Sequence, residues 1–522
     1  MSTSQTRRNF LKNTGAAISL PLSTVGLSAC GGGNDTLPGM TTAEQLALTA
    51  TEALRAMNSG RLSAEAYVTT LLTRAEALKD LNCFITVDRD GALTAARSVD
   101  TQRRTGIPLP PLAGLPIVVK DNINTRSLPT TGGTAALRAL QPSDNAPSLQ
   151  KLIDAGAIVL GKTNLHELAA GITSTNLTTF AGPVRNPYDT ARIPGGSSGG
   201  TAAAIAARIA PAGLGTDTAG SSRIPAALCG IAGMRPSVGN GGVQRRYTDT
   251  NAVVPLSHTR DTVGPMARSV ADLALLDAAI VGRSVPNPVG LKGLRVGVPT
   301  SFWAGLDTQV ASVAGAAREE LAKQGVVFVD VDLAGLATLN ERVSSPLILH
   351  EAVGDIPAYL AANGAAGVTL ASLAAGVASP DVRDAFLAIL GDAFGGPPYE
   401  DAVAVHRPAM QALYARYFSE NAVDAVMFPT TPLPAVLIDG VRGSSTVSIN
   451  GGALMDEFSA YVRNTDPSSS AGLPGLSLFA GMTSDGLPVG LELDGPLGSD
   501  QLLLGIGMSV EAVLGFAPAP GL

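Results

Sequence analysis

Cysteine, histidine, aromatic side chains and charge are all scarce in this chain of 522 residues, and each shortage closes off a class of protein. Three cysteines, Cys30, Cys83 and Cys229, cannot build a disulfide framework. Four histidines, His166, His258, His350 and His406, include no His-Glu-x-x-His pair, and none stands in a setting that marks a base. Charged residues make up 15% and the net charge is −7, so nothing favours a nucleic-acid partner. No run after residue 30 is long and apolar enough to span a bilayer. No repeat of about 20–50 residues is present. What is plentiful is glycine, 59 residues, within a composition that is 45% hydrophobic and 4% aromatic. That describes a globular, loop-rich enzyme, for which no metal and no cofactor is expected.

The amino terminus reads as an address. Thr6-Arg7-Arg8-Asn9-Phe10-Leu11-Lys12, an apolar run from Ala16 to Leu27, and the small residues before Cys30 make residues 1–29 a twin-arginine export signal. Its loss removes Arg7, Arg8 and Lys12, leaving the mature chain at −10. Leu27-Ser28-Ala29-Cys30 followed by glycines resembles a bacterial lipobox, which makes Cys30 a lipidation candidate. The alternative is cleavage beside Ala29 with an ordinary cysteine nearby. Residues 30–40 are a linker, and 41–522 the catalytic domain. The expected location is the periplasm or cell envelope, with a lipid tether as the one membrane link. Oligomeric state stays open. Cys229, in Ala-Ala-Leu-Cys-Gly, reads as a packed thiol at a helix end.

From Thr41 the chain starts helical, with a capping box at Thr41 and Glu44 and one apolar stripe through Leu46, Leu54 and Met57 to Gly60. Short apolar strands then alternate with helices: strands at 84–87, 116–119, 157–160, 294–298 and 326–331, helices at 90–104, 148–155 and 308–324. Further strands are expected at 425–428, 476–479 and 489–493, with a closing helix over 500–514. The stretch about 340–420 is helical in pattern. Alternation with continuously apolar strands indicates an α/β protein with a buried sheet.

The densest anomaly is residues 194–239, where two Gly/Ser-rich turns each run into a helix of small residues. Gly195 to Gly200 opens the first and Ala219 to Ser222 the second. Such a turn offers unpaired N–H groups and lets a reacting group approach the backbone, so it can hold an oxyanion or a phosphate. Phosphate is the weaker reading, because Gly200-Thr201-Ala202 lacks the lysine of a P-loop and the dinucleotide spacing also fails. A Gly-x-Ser-x-Gly elbow is missing as well. Among the scarce lysines, Lys120 ends the apolar run Pro116 to Val119, where burial would lower its pKa toward a base's range. From that stretch alone, a lysine snorkelling out of the strand end is the better reading.

Val119-Lys120-Asp121-Asn122, Ala157 to Asn164, the segment 194–239 and Gly264 to Ser269 together resemble the amidase signature family, over about residues 42–515. The resemblance implies a large mixed β-sheet covered by helices on both faces. It implies Lys120 as the catalytic lysine, Ser197 as the bridging serine after a cis peptide bond from Gly196, and Ser221 as the nucleophile. Backbone N–H groups of Thr218, Ala219, Gly220 and Ser221 would hold the oxyanion. Ser198, Asp217 and Arg223 would support the turns. The sequence departs from the family's usual Gly-Gly-Ser-Ile-Arg with Ala219-Gly220-Ser221-Ser222-Arg223, and both changes could reshape the acyl pocket.

The implied reaction is hydrolysis of a carboxamide through a seryl acyl-enzyme. Tyr461 to Pro467 and Ala471 to Gly475 resemble the branch holding mandelamide and indoleacetamide hydrolases, which points to a small aryl or arylalkyl amide. Peptide amides, anilides, carbamates and lactams are the alternatives, since specificity in the family tracks variable loops and the helical stretch. A glutaminase subunit of a tRNA amidotransferase fits poorly with export. A non-catalytic surface binding protein fits poorly with Lys120, Ser197 and Ser221 all present.

Overall fold

The computed structural model describes residues 39–522; the expected export signal, Cys30 and the expected linker as far as residue 38 lie outside the described residues. Among the described residues, eleven strands form one mixed sheet. They are β1 (Phe84–Val87), β2 (Pro116–Lys120), β3 (Ile158–Thr163), β4 (Ala212–Asp217), β5 (Ala232–Arg235), β6 (Thr262–Ala267), β7 (Arg295–Gly297), β8 (Val327–Val329), β9 (Ala425–Pro429), β12 (Gly475–Met482) and β13 (Pro488–Asp494). Two short strands, β10 (Thr446–Val447) and β11 (Met455–Asp456), pair separately. The sheet order is β1-β3-β2-β4-β6-β5-β12-β13-β9-β7-β8. β3, β2 and β4 run parallel, as do β9, β7 and β8, and the central pairings between those groups are antiparallel.

The flanking strands follow the apolar runs of the sequence, as continuously buried strands should. β2 is buried along its whole length, lysine included. The three strands from 212 to 267 were not anticipated. They read Ala-Gly-Leu-Gly-Thr-Asp, Ala-Gly-Met-Arg and Thr-Val-Gly-Pro-Met-Ala, with neither alternation nor β-branched density. Their glycines have a packing reason. A Cβ on Gly215 would lie 2.7 Å from Ser198 Oγ, and one on Gly233 would lie 2.4 Å from the Ser222 carbonyl. The strands are bare where the two Gly/Ser turns rest on them.

The first helical stripe is two helices, Thr42–Ala47 and Ala50–Asn58. Thr49 and Glu52 form a second capping box, which restarts the helix after an extended Leu48. Helices Gly199–Ala206 and Arg223–Leu228 are wholly buried beside the sheet, and Thr308–Lys323 and Asp500–Leu514 pack on β12 and β13. The helical stretch resolves into Leu336–Ala362, Leu370–Gly376, Pro380–Leu390, Pro397–Asp401 and Arg407–Glu420, with a short π-helical turn between the last two. Part of it closes over a separate apolar cluster that includes Leu168, Ile356, Tyr359, Phe386 and Ile389.

Candidate active site

Lys120 ends β2 and Thr216 is the penultimate residue of the neighbouring parallel strand β4, and their side chains meet beside the turns. Lys120 Nζ lies 2.8 Å from Ser197 Oγ and 2.7 Å from Thr216 Oγ1. Asn122 Nδ2 donates to the same threonine oxygen at 3.1 Å. The amine is fully buried. Burial lowers its pKa from 10.5 to about 7, although the carboxylates of Asp217 and Asp261 pull the other way. A large fraction is therefore neutral near pH 7 and able to accept a hydroxyl proton.

Ser197 follows a cis peptide bond from Gly196. The next residue locks the first turn to the second: Ser198 N donates to the Ser221 carbonyl at 3.2 Å. Ser198 Oγ also donates to the Thr216 carbonyl and accepts from Thr216 N, both at 3.2 Å. Among the described residues no hydrogen bond joins the Ser197 and Ser221 hydroxyls. Lys120 and Ser197 are in direct contact, whereas Ser221 is held next to them through backbone.

The N–H groups at the second turn are not equivalent. Gly220 sits at φ +134°, and a Cβ there would lie 2.4 Å from Thr465 Oγ1, so the close approach requires glycine. Its N–H already donates to Asp217 Oδ1 at 3.0 Å, which departs from the expectation that it faces an oxyanion. The N–H groups of Thr218, Ala219 and Ser221 donate to no acceptor among the described residues.

Asp217 is the hub beneath the turn. It accepts from Ser222 N at 3.2 Å, from Arg223 Nε at 3.0 Å and from Arg235 Nη1 at 3.0 Å, all buried. Burial alone would raise its pKa, but the Arg223 and Arg235 guanidiniums outweigh it and hold the carboxyl well below the usual range. Arg223 reaches onward to Glu492 on β13 and to Ser469 Oγ at 2.6 Å. Burial raises the pKa of Glu492 and takes Asp494 up to about 6. Sequence reasoning missed Thr216, Arg235, Glu492 and Asp494. Acids alternating with leucines in Leu-Glu-Leu-Asp of an interior strand were the available signal.

Ser222 corrects one expectation. It is fully buried and its Oγ is shared between Asp217 Oδ2 at 3.0 Å and the Met234 carbonyl at 2.9 Å, so it anchors the turn to the sheet instead of shaping a pocket. Ala219, by contrast, lines the cavity of about 430 Å³ onto which Thr218 and Ser221 open. Helix Leu336–Ala362 contributes Ser344, Ser345, Ile348 and Leu349 to that cavity, and helix Pro380–Leu390 contributes Asp381, Asp384, Ala385 and Ile389. The segment around Phe458 supplies another wall.

The remaining candidates are elsewhere employed. Cys229 is buried with Sγ 3.3 Å from the Pro194 carbonyl, and burial raises its thiol pKa well above the ordinary value. His166 is buried, with Nδ1 accepting Ser174 N at 3.1 Å and Nε2 2.9 Å from Asp381. His258, Glu351 and Asp355 converge within 4.8 Å of one another, but they do so in hydrogen bonds with Ser257, Thr259 and each other.

A large mixed sheet with two Gly/Ser turns seated on bare strands and a buried lysine beside them is the arrangement of an amide hydrolase. Residues 66–504 match the Amidase family model, and the chain belongs to that family. It is 42% identical over 456 residues to the indoleacetamide hydrolase of Agrobacterium vitis, covering 87% of this chain and 94% of that protein. It is 39% identical over 488 residues to the mandelamide hydrolase of Pseudomonas putida, covering 91% and 92%. Among solved structures, the peptide amidase of Stenotrophomonas maltophilia superposes with a TM-score of 0.75 at 28% identity, covering 91% of this chain and 98% of that one. The protein is an amidase acting on carbon–nitrogen bonds of amides.

Proposed function

We propose that the enzyme hydrolyses small aryl or arylalkyl carboxamides through an acyl-enzyme on Ser221. The observation that carries this reading is the buried contact of Lys120 Nζ with Ser197 Oγ at 2.8 Å, one backbone bond away from Ser221. Neutral Lys120 takes the Ser197 proton as Ser197 takes that of Ser221, and Ser221 Oγ bonds to the amide carbon. The unengaged N–H groups of Thr218, Ala219 and Ser221 receive the oxyanion. As the tetrahedral species collapses, the C–N bond breaks and the relay returns its proton to the leaving nitrogen. Water, deprotonated by the same relay, then releases the acid. The relay requires the Ser197 and Ser221 hydroxyls to come into hydrogen-bond contact when substrate binds.

Leu256, Ile348, Leu349, Ile389 and Phe458 give the cavity apolar walls suited to an aromatic ring, in line with the similarity to indoleacetamide and mandelamide hydrolases. The similarity to a peptide amidase makes carboxy-terminal peptide amides the second substrate reading. Product masses from a panel of arylacetamides, peptide amides, anilides and carbamates test the choice. Exclusive cleavage of peptide amides would overturn the first reading. The same proposal includes twin-arginine export and a lipid on Cys30. The intact mass of the mature protein tests both, and a mature chain retaining residues 1–29 would contradict them.

A further inference from the structure

The cavity at Ser221 carries a carboxyl that its own fold leaves without a partner. Four acids line it: Asp381, Asp384, Asp456 and Glu457, and none of the described lining residues is Lys, Arg or His. Asp456 caps helix Glu457–Val462 by accepting Ser459 N at 2.8 Å, and Asp384 is exposed. Asp381 Oδ2 lies 2.9 Å from His166 Nε2, while its Oδ1 is buried without a hydrogen bond. Glu457 is only 2% exposed, and among the described residues no donor reaches its carboxyl; Oε1 is buried without any hydrogen bond. Since Asp456 already caps the helix, the helix start does not account for Glu457. Burial pushes its pKa well above the ordinary value, and the charges of Asp381 and Asp456 push the same way.

Folds rarely keep a buried polar group unsatisfied without a ligand or a catalytic role to justify it. We propose that Glu457, flanked by Asp381 and Asp456, receives a protonated amine of the substrate, so that preferred substrates carry a basic nitrogen in addition to the amide that is cleaved. This rests on the reading of Ser221 as the reacting group in the same cavity. An ammonium supplies the missing N–H donors and favours the carboxylate form, so that Glu457 releases its proton to solvent as the charge-assisted bonds form, and it offsets the repulsion among the acids. A hydrocarbon substituent would leave the carboxyl unpaired.

The test compares 4-(aminomethyl)-, 4-(hydroxymethyl)- and 4-methyl-phenylacetamide, with their meta isomers, by ammonia release at pH 7. The aminomethyl compound should exceed the other two by about tenfold or more in kcat/KM, mostly through KM, as expected for a hydrogen bond to a charged group. Glu457→Gln should cost that compound about 10–100-fold and leave the methyl compound within about threefold. Asp456→Asn keeps a competent helix cap while removing a charge, so it serves if the first variant fails to fold; it should lower the aminomethyl preference about threefold. Equal turnover of the three by the wild type, or an equal loss on all three in the variants, overturns the proposal while leaving the amidase reading intact. If no member is cleaved, the proposed arylalkyl substrate class itself fails.

Discussion

The turns that hold Ser197 and Ser221 and the cavity that receives the substrate are built on opposite plans. The turns come from one stretch of chain, 194–239, and lie on strands stripped of side chains, with every polar group of the underlying Asp217–Arg223 network buried. The cavity is assembled from segments far apart in sequence, around 169, 219, 256, 345, 385 and 457, and several of its walls reach solvent. Chemistry that needs fixed distances sits on the rigid part. Recognition, which can vary without disturbing the relay, sits on helices added over it. The contrast predicts that loss of a reacting side chain in the turns abolishes the reaction for every amide, whereas changes in side chains that face the cavity, Ala219 of the second turn included, alter which amide is used.

The largest expected effect is from Ser221→Ala, which should lower kcat about 10⁴-fold or more on every amide turned over. Loss confined to some substrates would break the division between chemistry and recognition. Lys120→Ala should be comparably severe with unchanged far-ultraviolet circular dichroism. In the wild type the working form of Lys120 is neutral, so protonation on acidification disables it. With its pKa at about 7, kcat/KM should fall about tenfold per pH unit below pH 7 and level off above it. A profile flat to pH 5 would rule out lysine as the base.

Next comes the network under the turn. Arg223→Met leaves Glu492 a buried acid without its guanidinium and Asp217 with Arg235 alone, and thermal unfolding should show a loss of about 3–5 kcal/mol. Gly215→Ala pushes a methyl toward Ser198 Oγ, 2.7 Å from the built Cβ position, and should lower kcat more than it raises KM. The smallest change is expected for Ala219→Gly at the cavity wall, which should shift relative kcat/KM among bulky and slender amides by about threefold while leaving the acid limb unmoved.

The same contrast explains what the sequence disclosed. Both turns and the outer strands were legible, because apolar runs and paired glycine–serine clusters are local signals, whereas Lys120 was singled out by the family resemblance. The strands β4, β5 and β6 were not, since strands emptied of bulk to seat the turns lose the pattern that marks a strand. Thr216, Arg235 and Glu492 were hidden because their partners lie in other segments. Glu457 gave no signal at all: its isolation becomes visible only when the cavity around it is assembled. The N–H of Gly220 looked like an oxyanion donor until Asp217 was found occupying it.

One measurement reaches the central claim most directly. The enzyme is quenched in acid during turnover of a slow arylacetic anilide or ester, digested, and the peptides are weighed. An arylacetyl mass on the peptide and fragment ions that contain Ser221, absent from Ser221→Ala, is the predicted result. An adduct on any other side chain, or rapid single-turnover product release with no adduct on Ser221 at any quench time, would contradict the account.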